Sequence, residues 1–499
     1  MEPRVKNALA LVGLLTVSLA GATQTVAQAD AQPNILLILT DDQRADTAHA
    51  PWMPNLQAMT DQGIDFSQAF ANTSLCCPAR ATIFTGLFTH NHQILGNSGY
   101  VDPDFDHADP RMLPQKLQEA GYRTAMLGKY MLNTRMNMPP GWDEWHVFSE
   151  NGNDGTGRLY YNYTLNENGT AVAYGDTPGD YSTDVLRDKT LALIERWNDD
   201  GPWFVEVGFY APHRATIPAP RHEGSWAGLT SHRPPNYQEA DISDKPGWLR
   251  TWKAFNGDDR ARVGQLETLL AVDEAVQAFL DKLAETGQLN NTLVIFTSDG
   301  GMHWGEHWHG NKASPYEESL RLPLAMYWPN GIRKPRVEAQ GQVSDVDLYA
   351  TILDVAGAAP APNNGTSLVP MFNRKARCPL TNRALLFEHF GTGFADPHHG
   401  VRTERWKYIE TRKQVDPDDP PTFFELYDLA TDPYELENIL LVDPTWSNRP
   451  ENARTLDDLQ TTLYTMLSTD LTPMLPECRA VRPRSDGRRI GVRSVGSRR

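Results

Sequence analysis

Five apolar residues in a row, Ile35 to Leu39, run straight into Thr40-Asp41-Asp42. A strand with one wet face alternates apolar and polar residues, and this run does not. It reads instead as a strand buried on both faces, the kind found in parallel sheets covered by helices. Further apolar segments read as strands over 64–69, 122–127, 203–209, 293–297 and 322–327. Between them the sequence predicts helices over 53–62, 113–120, 184–198, 263–286 and 345–356. Helix and strand in alternation give an α/β fold, a large mostly parallel or mixed sheet sandwiched by helices. Parallel strands bring their carboxyl ends to one edge, where ligands of such sheets bind. Asp41, Asp42, Lys129, His213 and Asp299 all follow predicted strands and are expected to converge there.

Two carboxylates directly after a buried strand are costly without a compensating cation. Oxygen ligands suit hard Ca²⁺ or Mg²⁺. A helix N-cap plus one exposed Asp is the alternative for Asp41-Asp42 alone. Asp299, at the end of another strand, adds a third carboxylate and strengthens the case for a metal.

The run Ser74-Leu75-Cys76-Cys77-Pro78-Ala79-Arg80-Ala81-Thr82-Ile83-Phe84-Thr85-Gly86 reads as a loop entering a helix. Pro is well placed in a first helical turn, where N–H groups lack partners. With Arg80 beside it, such a helix start suits an anion. Taken alone, Cys76-Cys77 also reads as two small buried residues or a redox pair. In its context the run resembles the signature of the sulfatases, Cys-x-Pro-x-Arg with a downstream Thr-Gly. Segments 34–42, 74–86, Gly128-Lys129, Ala211-Pro212-His213, 297–312 and 400–408 resemble sulfatase blocks in family order. Thr89-His90-Asn91-His92, Gly128-Lys129-Tyr130, 160–165 and 287–292 most resemble the N-acetylglucosamine-6-sulfatase branch.

The resemblance implies an alkaline-phosphatase-like fold and the hydrolysis of a sulfate ester on a sugar or aryl group. It implies that Cys76 is oxidised to formylglycine by a formylglycine-generating enzyme, and that a divalent metal, Ca²⁺ or Mg²⁺, is held by Asp41, Asp42, Asp299 and residue 76. It further implies that Lys129, His213 and Lys312 contact the sulfate or the leaving oxygen, and that Arg80, Lys129 and Lys312 neutralise its charge. His213 or Lys312 then serves as general acid. The aldehyde hydrates to a diol. One hydroxyl attacks sulfur and the other expels sulfate, which a serine or thiol with no second hydroxyl cannot do.

Two positions depart from the pattern. Gly300 stands where family members carry Asn or His after the third aspartate. A water, a backbone oxygen or His303 is expected to fill the gap. Met131 stands where many members carry a His, which leaves the last proton transfer unassigned; His90 and His92 are candidates by residue type and otherwise shape the substrate pocket. Two other functions compete: a phosphomonoester or phosphonate hydrolase of the same superfamily, and a catalytically impaired glycan-binding homologue.

The ends of the chain read differently from its body. Residues 1–29 have the charged start (Arg4, Lys6), apolar run and Ala27-Gln28-Ala29 site of a secretory signal, cleaved near Ala29. That run is too short to span a bilayer, and no later segment reads as transmembrane. A secreted or periplasmic protein is expected. Residues 30–375 are assigned to the catalytic α/β domain. Residues 376–478 form a smaller α+β subdomain with an antiparallel sheet, strands near 385–389, 406–409 and 423–429, and a helix over 456–467. Cys378 and Cys478 are placed to form one disulfide, a pairing that sequence alone cannot fix. Residues 479–499 carry eight Arg and one Asp and read as a solvated tail. The net charge of −17 argues against nucleic acid as the main partner.

Overall fold

The computed structural model describes residues 32–97, 112–131, 138–149, 159–251, 259–339, 341–373, 380, 383–391, 395–414 and 420–468. The signal segment 1–29, the boundary at 375/376, Cys378, Cys478 and the tail 479–499 lie outside the described residues.

Thirteen strands of the described residues build the first part of the chain: β1 (Asn34–Thr40), β2 (Ile64–Phe66), β3 (Ala69–Phe70), β4 (Arg123–Gly128), β5 (Glu144–Phe148), β6 (Thr164–Glu167), β7 (Thr170–Ala173), β8 (Trp203–Gly208), β9 (Thr292–Ser298), β10 (Arg321–Leu322), β11 (Leu324–Tyr327), β12 (Arg336–Glu338) and β13 (Val343–Ser344). Ten of them form one sheet in the order β12-β2-β11-β9-β1-β8-β4-β5-β6-β7. The central strands β9, β1, β8, β4 and β5 run parallel, while β11, β6 and β7 join antiparallel.

The unbroken apolar run of β1 has its explanation in two buried faces. Ile35, Leu37 and Leu39 pack with Ala81 and Phe84 and with residues of the helices Leu113–Glu119 and Val346–Ala356. Leu36 and Ile38 pack on the other face with the helices Ser182–Arg196 and Arg260–Glu285. Side chains alternate along a strand, so a strand covered on both sides needs apolar residues at every position.

Two expected strands divide. The 322–327 segment is interrupted by Pro323, which cannot donate to a ladder; β10 pairs with β3 in a separate three-stranded sheet, and β11 stays in the large one. The 64–69 segment likewise separates into β2 and β3. The β6–β7 hairpin turns on Asn168-Gly169, both at positive φ (51° and 92°), as a tight two-residue hairpin turn requires.

The later strands β14 (Leu385–His389), β15 (His398–Arg402), β16 (Trp406–Thr411) and β17 (Phe423–Asp428) form an antiparallel sheet in that order. Leu386, Val401, Tyr408 and Leu426 meet the helix Pro450–Leu467 and also Phe88 and Val346. Leu385, Phe387, Ile409 and Tyr427 meet Phe70, Tyr316 and Leu320. The small sheet is thus packed against the large part of the chain through both faces, within one compact unit.

Candidate active site

Parallel register brings the strand ends together. Thr40 lies opposite Ser298, and Gly128 opposite Gly208. Asp41, Asp299 and Lys129 are each the next residue after one of these strands. Backbone bonds tie these exits: Asp41 N–H to Ala211 O (3.2 Å), Asp299 N–H to Thr40 O (3.1 Å) and Lys129 N–H to Gly208 O (2.7 Å). Asp42 takes a left-handed backbone (φ 65°), a conformation costing on the order of 1 kcal/mol that Asp tolerates better than most residues. Its N–H donates to Asp299 Oδ1 at 3.2 Å.

Cys76 is the first residue of the helix Cys76–Thr85, not part of a loop before it, and Pro78 is its third. All ten residues of this helix are buried. The N-terminal position points the Cys76 thiol at the strand ends: Sγ lies 3.5 Å from Asp41 Oδ1, 3.2 Å from Lys129 Nζ and 2.7 Å from Lys312 Nζ. Cys77 points instead into the core.

The charges are paired one to one. Lys129 bonds Asp41, and Lys312 bonds Asp42. Arg80 Nε and Nη2 both reach Asp299 Oδ2 at 2.8 Å, while Nη1 donates to the Lys129 carbonyl. Gly208 makes room for this guanidinium, since a Cβ there would lie 3.0 Å from Arg80 Nη1 and 2.4 Å from Lys129 O. Burial alone would raise Asp41, but Lys129, His213, Lys312 and Arg80 overcome it and hold the carboxyl well below the usual range. Asp42 is pushed up, by burial first and by Asp41 and Asp299, against Lys312 and His213. Burial and Asp41 raise the Cys76 thiol, and burial lowers His213. His213 sits at the rim, with Nε2 3.7 Å from Asp42 Oδ2.

Ligand atoms of Asp41, Asp42, Cys76 and Asp299 lie within 4.8 Å of one another, as do those of Asp41, Cys76 and His213. Three buried carboxylates in one cluster are a hard-oxygen donor set that fits a divalent cation. All eight residues expected at the site are therefore brought together: Asp41, Asp42, Cys76, Arg80, Lys129, Asp299 and Lys312 at its centre, and His213 at the edge.

The positions flagged as departures resolve in part. Ser74 Oγ stands in the space beside Gly300, where a Cβ would meet it at 2.8 Å and displace the hydroxyl. His303 does not fill the gap: its Nε2 meets Ser314 Oγ at 2.7 Å and its Nδ1 lies 3.9 Å from Glu318. His92 is structural, meeting Thr82 Oγ1 at 3.2 Å and accepting from Ile94 N–H at 3.0 Å. His90 pairs with Glu388 at 2.7 Å. Met131 is buried in the core. Three residues escaped sequence reasoning. Ser74 and Tyr210 carry no signal in sequence. Glu206 does, as a lone acid in the apolar segment Trp203–Gly208.

A family model described as "Sulfatase" matches residues 33–358. The chain belongs to the sulfatase family. A second model, "N-sulphoglucosamine sulphohydrolase, C-terminal", matches residues 305–462 of this sulfatase. The sulfatase is 35% identical over 367 residues to the putative extracellular sulfatase Sulf-1 homolog of Caenorhabditis elegans, covering 70% of this chain and 50% of that protein. It is 30% identical over 470 residues to the N-acetylglucosamine-6-sulfatase of Homo sapiens, covering 84% and 83%. The chain thus spans half of the nematode protein and most of the human one. A solved structure in complex with its substrate D-glucosamine-2-N,6-O-disulfate superposes with a TM-score of 0.72 at 25% identity, covering 87% of this chain and 98% of that one. Membership implies a metal-dependent enzyme of the formylglycine type.

Proposed function

We propose that this sulfatase releases sulfate from a sulfated sugar, with N-acetylglucosamine 6-sulfate the favoured class, or from an aryl sulfate. Cys76 becomes formylglycine through a formylglycine-generating enzyme, and Asp41, Asp42, Asp299 and residue 76 hold Ca²⁺ or Mg²⁺. The observation that carries this reading is the Cys76 thiol standing 3.2 and 2.7 Å from two lysine ammonium groups beside three buried carboxylates. The substrate class follows the names of the relatives. When present, the cation neutralises charge on the sulfate oxygens and the hydrated aldehyde supplies the nucleophile.

The protein's own groups do the remaining work. Lys129 and Lys312 flank the reacting residue and meet the sulfate oxygens as charge builds. Arg80 donates to Asp299 through Nε and to the Lys129 carbonyl through Nη1, so it orients two members of the site at once. His213 or Lys312 delivers a proton to the departing alcohol. The signal segment and the extracellular name of the nematode relative support export to a secreted or periplasmic location. No helix among the described residues is long and apolar enough to cross a membrane.

Sulfate release from N-acetylglucosamine 6-sulfate and an aryl sulfate, beside phosphate release from the aryl phosphate, tests the reading. Faster turnover of the phosphate refutes it in favour of the phosphoester hydrolases. The Cys76 peptide should run about 18 Da below its cysteine form. A peptide carrying only cysteine in the native host sinks the formylglycine route. Cys77→Ala should keep both the mass shift and turnover.

A further inference from the structure

Arg214 is an exposed cation at the rim of the site. It follows His213, whose Nε2 stands 3.7 Å from Asp42 Oδ2. Its side chain crosses from that loop to a second one, where Nη2 donates to the Gly310 carbonyl oxygen. Gly310 lies two residues before Lys312, whose ammonium is 2.7 Å from Cys76 Sγ. The guanidinium therefore bridges the two loops that bring His213 and Lys312 to the site.

Its charge is unanswered. Lys129, Lys312 and Arg80 each hold a carboxylate of the centre. Among the described residues Arg214 makes one side-chain hydrogen bond, to Gly310, and no ion pair. A guanidinium carries five N–H donors in a planar fork that matches two oxygens of a carboxylate or a sulfate. One donor is spent on the Gly310 carbonyl, which holds the side chain in place before anything binds and so lowers the entropy lost on binding. The protein as a whole has a net charge of −17, so attraction for a polyanion has to come from local cations of this kind. The pairs at the centre serve the one sulfate that is cleaved, and Arg214 stands outside them.

We propose that Arg214 binds a second oxyanion of the substrate, on the same sugar ring or on the adjoining one, and so makes this sulfatase select doubly charged glycans over singly charged ones. The proposal rests on the sulfated-sugar reading and adds a specificity residue to it. A second sulfate or a carboxylate meets the fork through two oxygens, while the bond to Gly310 keeps the fork at the mouth of the site.

Turnover of matched substrates by the full chain tests this. N-acetylglucosamine 6-sulfate and glucosamine 2-N,6-O-disulfate differ in one nitrogen substituent, neutral in the first and anionic in the second. N-acetylglucosamine 6-sulfate linked to a uronic acid places a carboxylate on the adjoining ring instead. An aryl sulfate carries no second anion. Wild type, Arg214→Gln and Arg214→Ala are made in one host, with the state of Cys76 matched by peptide mass, and kcat/KM is read on all four substrates. Glutamine keeps a donor for the Gly310 carbonyl and removes the charge. Wild type should favour a doubly charged substrate by about 3–10-fold, the scale of a partly solvated charge-assisted contact. Both variants should lose that preference, chiefly through KM, and keep their turnover of the two singly charged substrates. A gain on the disulfate places the second oxyanion on the same ring, and a gain on the uronate-linked substrate places it on the neighbour. A preference that survives in Arg214→Gln overturns the proposal, as does a wild type indifferent to the second anion. An equal fall on all four substrates also overturns it, because Arg214 then only braces the loop of Lys312. Each of these three results leaves the sulfatase reading standing. Release of sulfate from none of the four by wild type removes that reading and the proposal with it.

Discussion

Among the described residues Glu206 is a fully buried carboxyl with no hydrogen-bond partner, and replacing it by glutamine should stabilise the fold in a pH-dependent way. It sits in β8 between Leu37 of β1 and Met126 of β4, fully buried. Neither carboxyl oxygen has a hydrogen-bond partner. Burial pushes the group up to about 8, with Arg80 opposing and Asp299 adding. In the unfolded chain a glutamate titrates near 4.3. The folded state therefore binds more protons than the unfolded state between those two values, and stability falls as pH rises through that window. Each pH unit above the unfolded value costs about 1.4 kcal/mol. The cost reaches roughly 3–4 kcal/mol at pH 7, about 5 kcal/mol at pH 8 and above, and is absent below about pH 4. Glu206→Gln keeps the shape and stays neutral throughout. Its advantage over wild type should grow from nothing near pH 4 to about 3 kcal/mol at pH 7, read as the difference in urea unfolding free energy at pH 5, 6, 7 and 8. A difference that does not change across that range refutes the reasoning. It would mean that Glu206 is ionised in the fold and that Arg80 answers its charge.

Arg80→Lys should cost about 3–5 kcal/mol of stability, because one ammonium cannot reach both the Asp299 carboxylate and the Lys129 carbonyl as the guanidinium fork does. Melting temperature and sulfate release should fall together. Gly300→Asn alone should destabilise by about 1–3 kcal/mol through the clash with Ser74 Oγ, and Ser74→Ala in the same chain should recover most of the loss, both read by thermal unfolding. Chelation should lower the melting temperature and Ca²⁺ at about 100 times its dissociation constant should return about 2.7 kcal/mol; a melting curve indifferent to both would remove the metal from Asp41, Asp42 and Asp299.

The sequence by itself determined the parallel core and placed Asp41, Asp42, Lys129, His213 and Asp299 after strands, where the structure brings them together. These signals are local. An unbroken apolar run means two covered faces, and a polar residue after such a run means the carboxyl edge of the sheet. The Asn168-Gly169 hairpin was equally legible, since both residues tolerate positive φ, although no strand was assigned there. Pro323 likewise marked a break that the apolar pattern around it concealed.

Only the tertiary structure decided how those residues work. That Ser74 stands in the space beside Gly300, that His303 turns to Ser314, and that His213 Nδ1 sits against Tyr210 and the Arg214 carbonyl are contacts between segments remote in sequence or built by an irregular loop. Composition and spacing carry no record of competition for one volume or of which lone pair faces which nitrogen. Glu206 shows both sides. Its place as a lone acid in an apolar strand was visible in the sequence, while the lack of any partner for it follows from what the helix Cys76–Thr85 and the strands β1 and β4 pack around it.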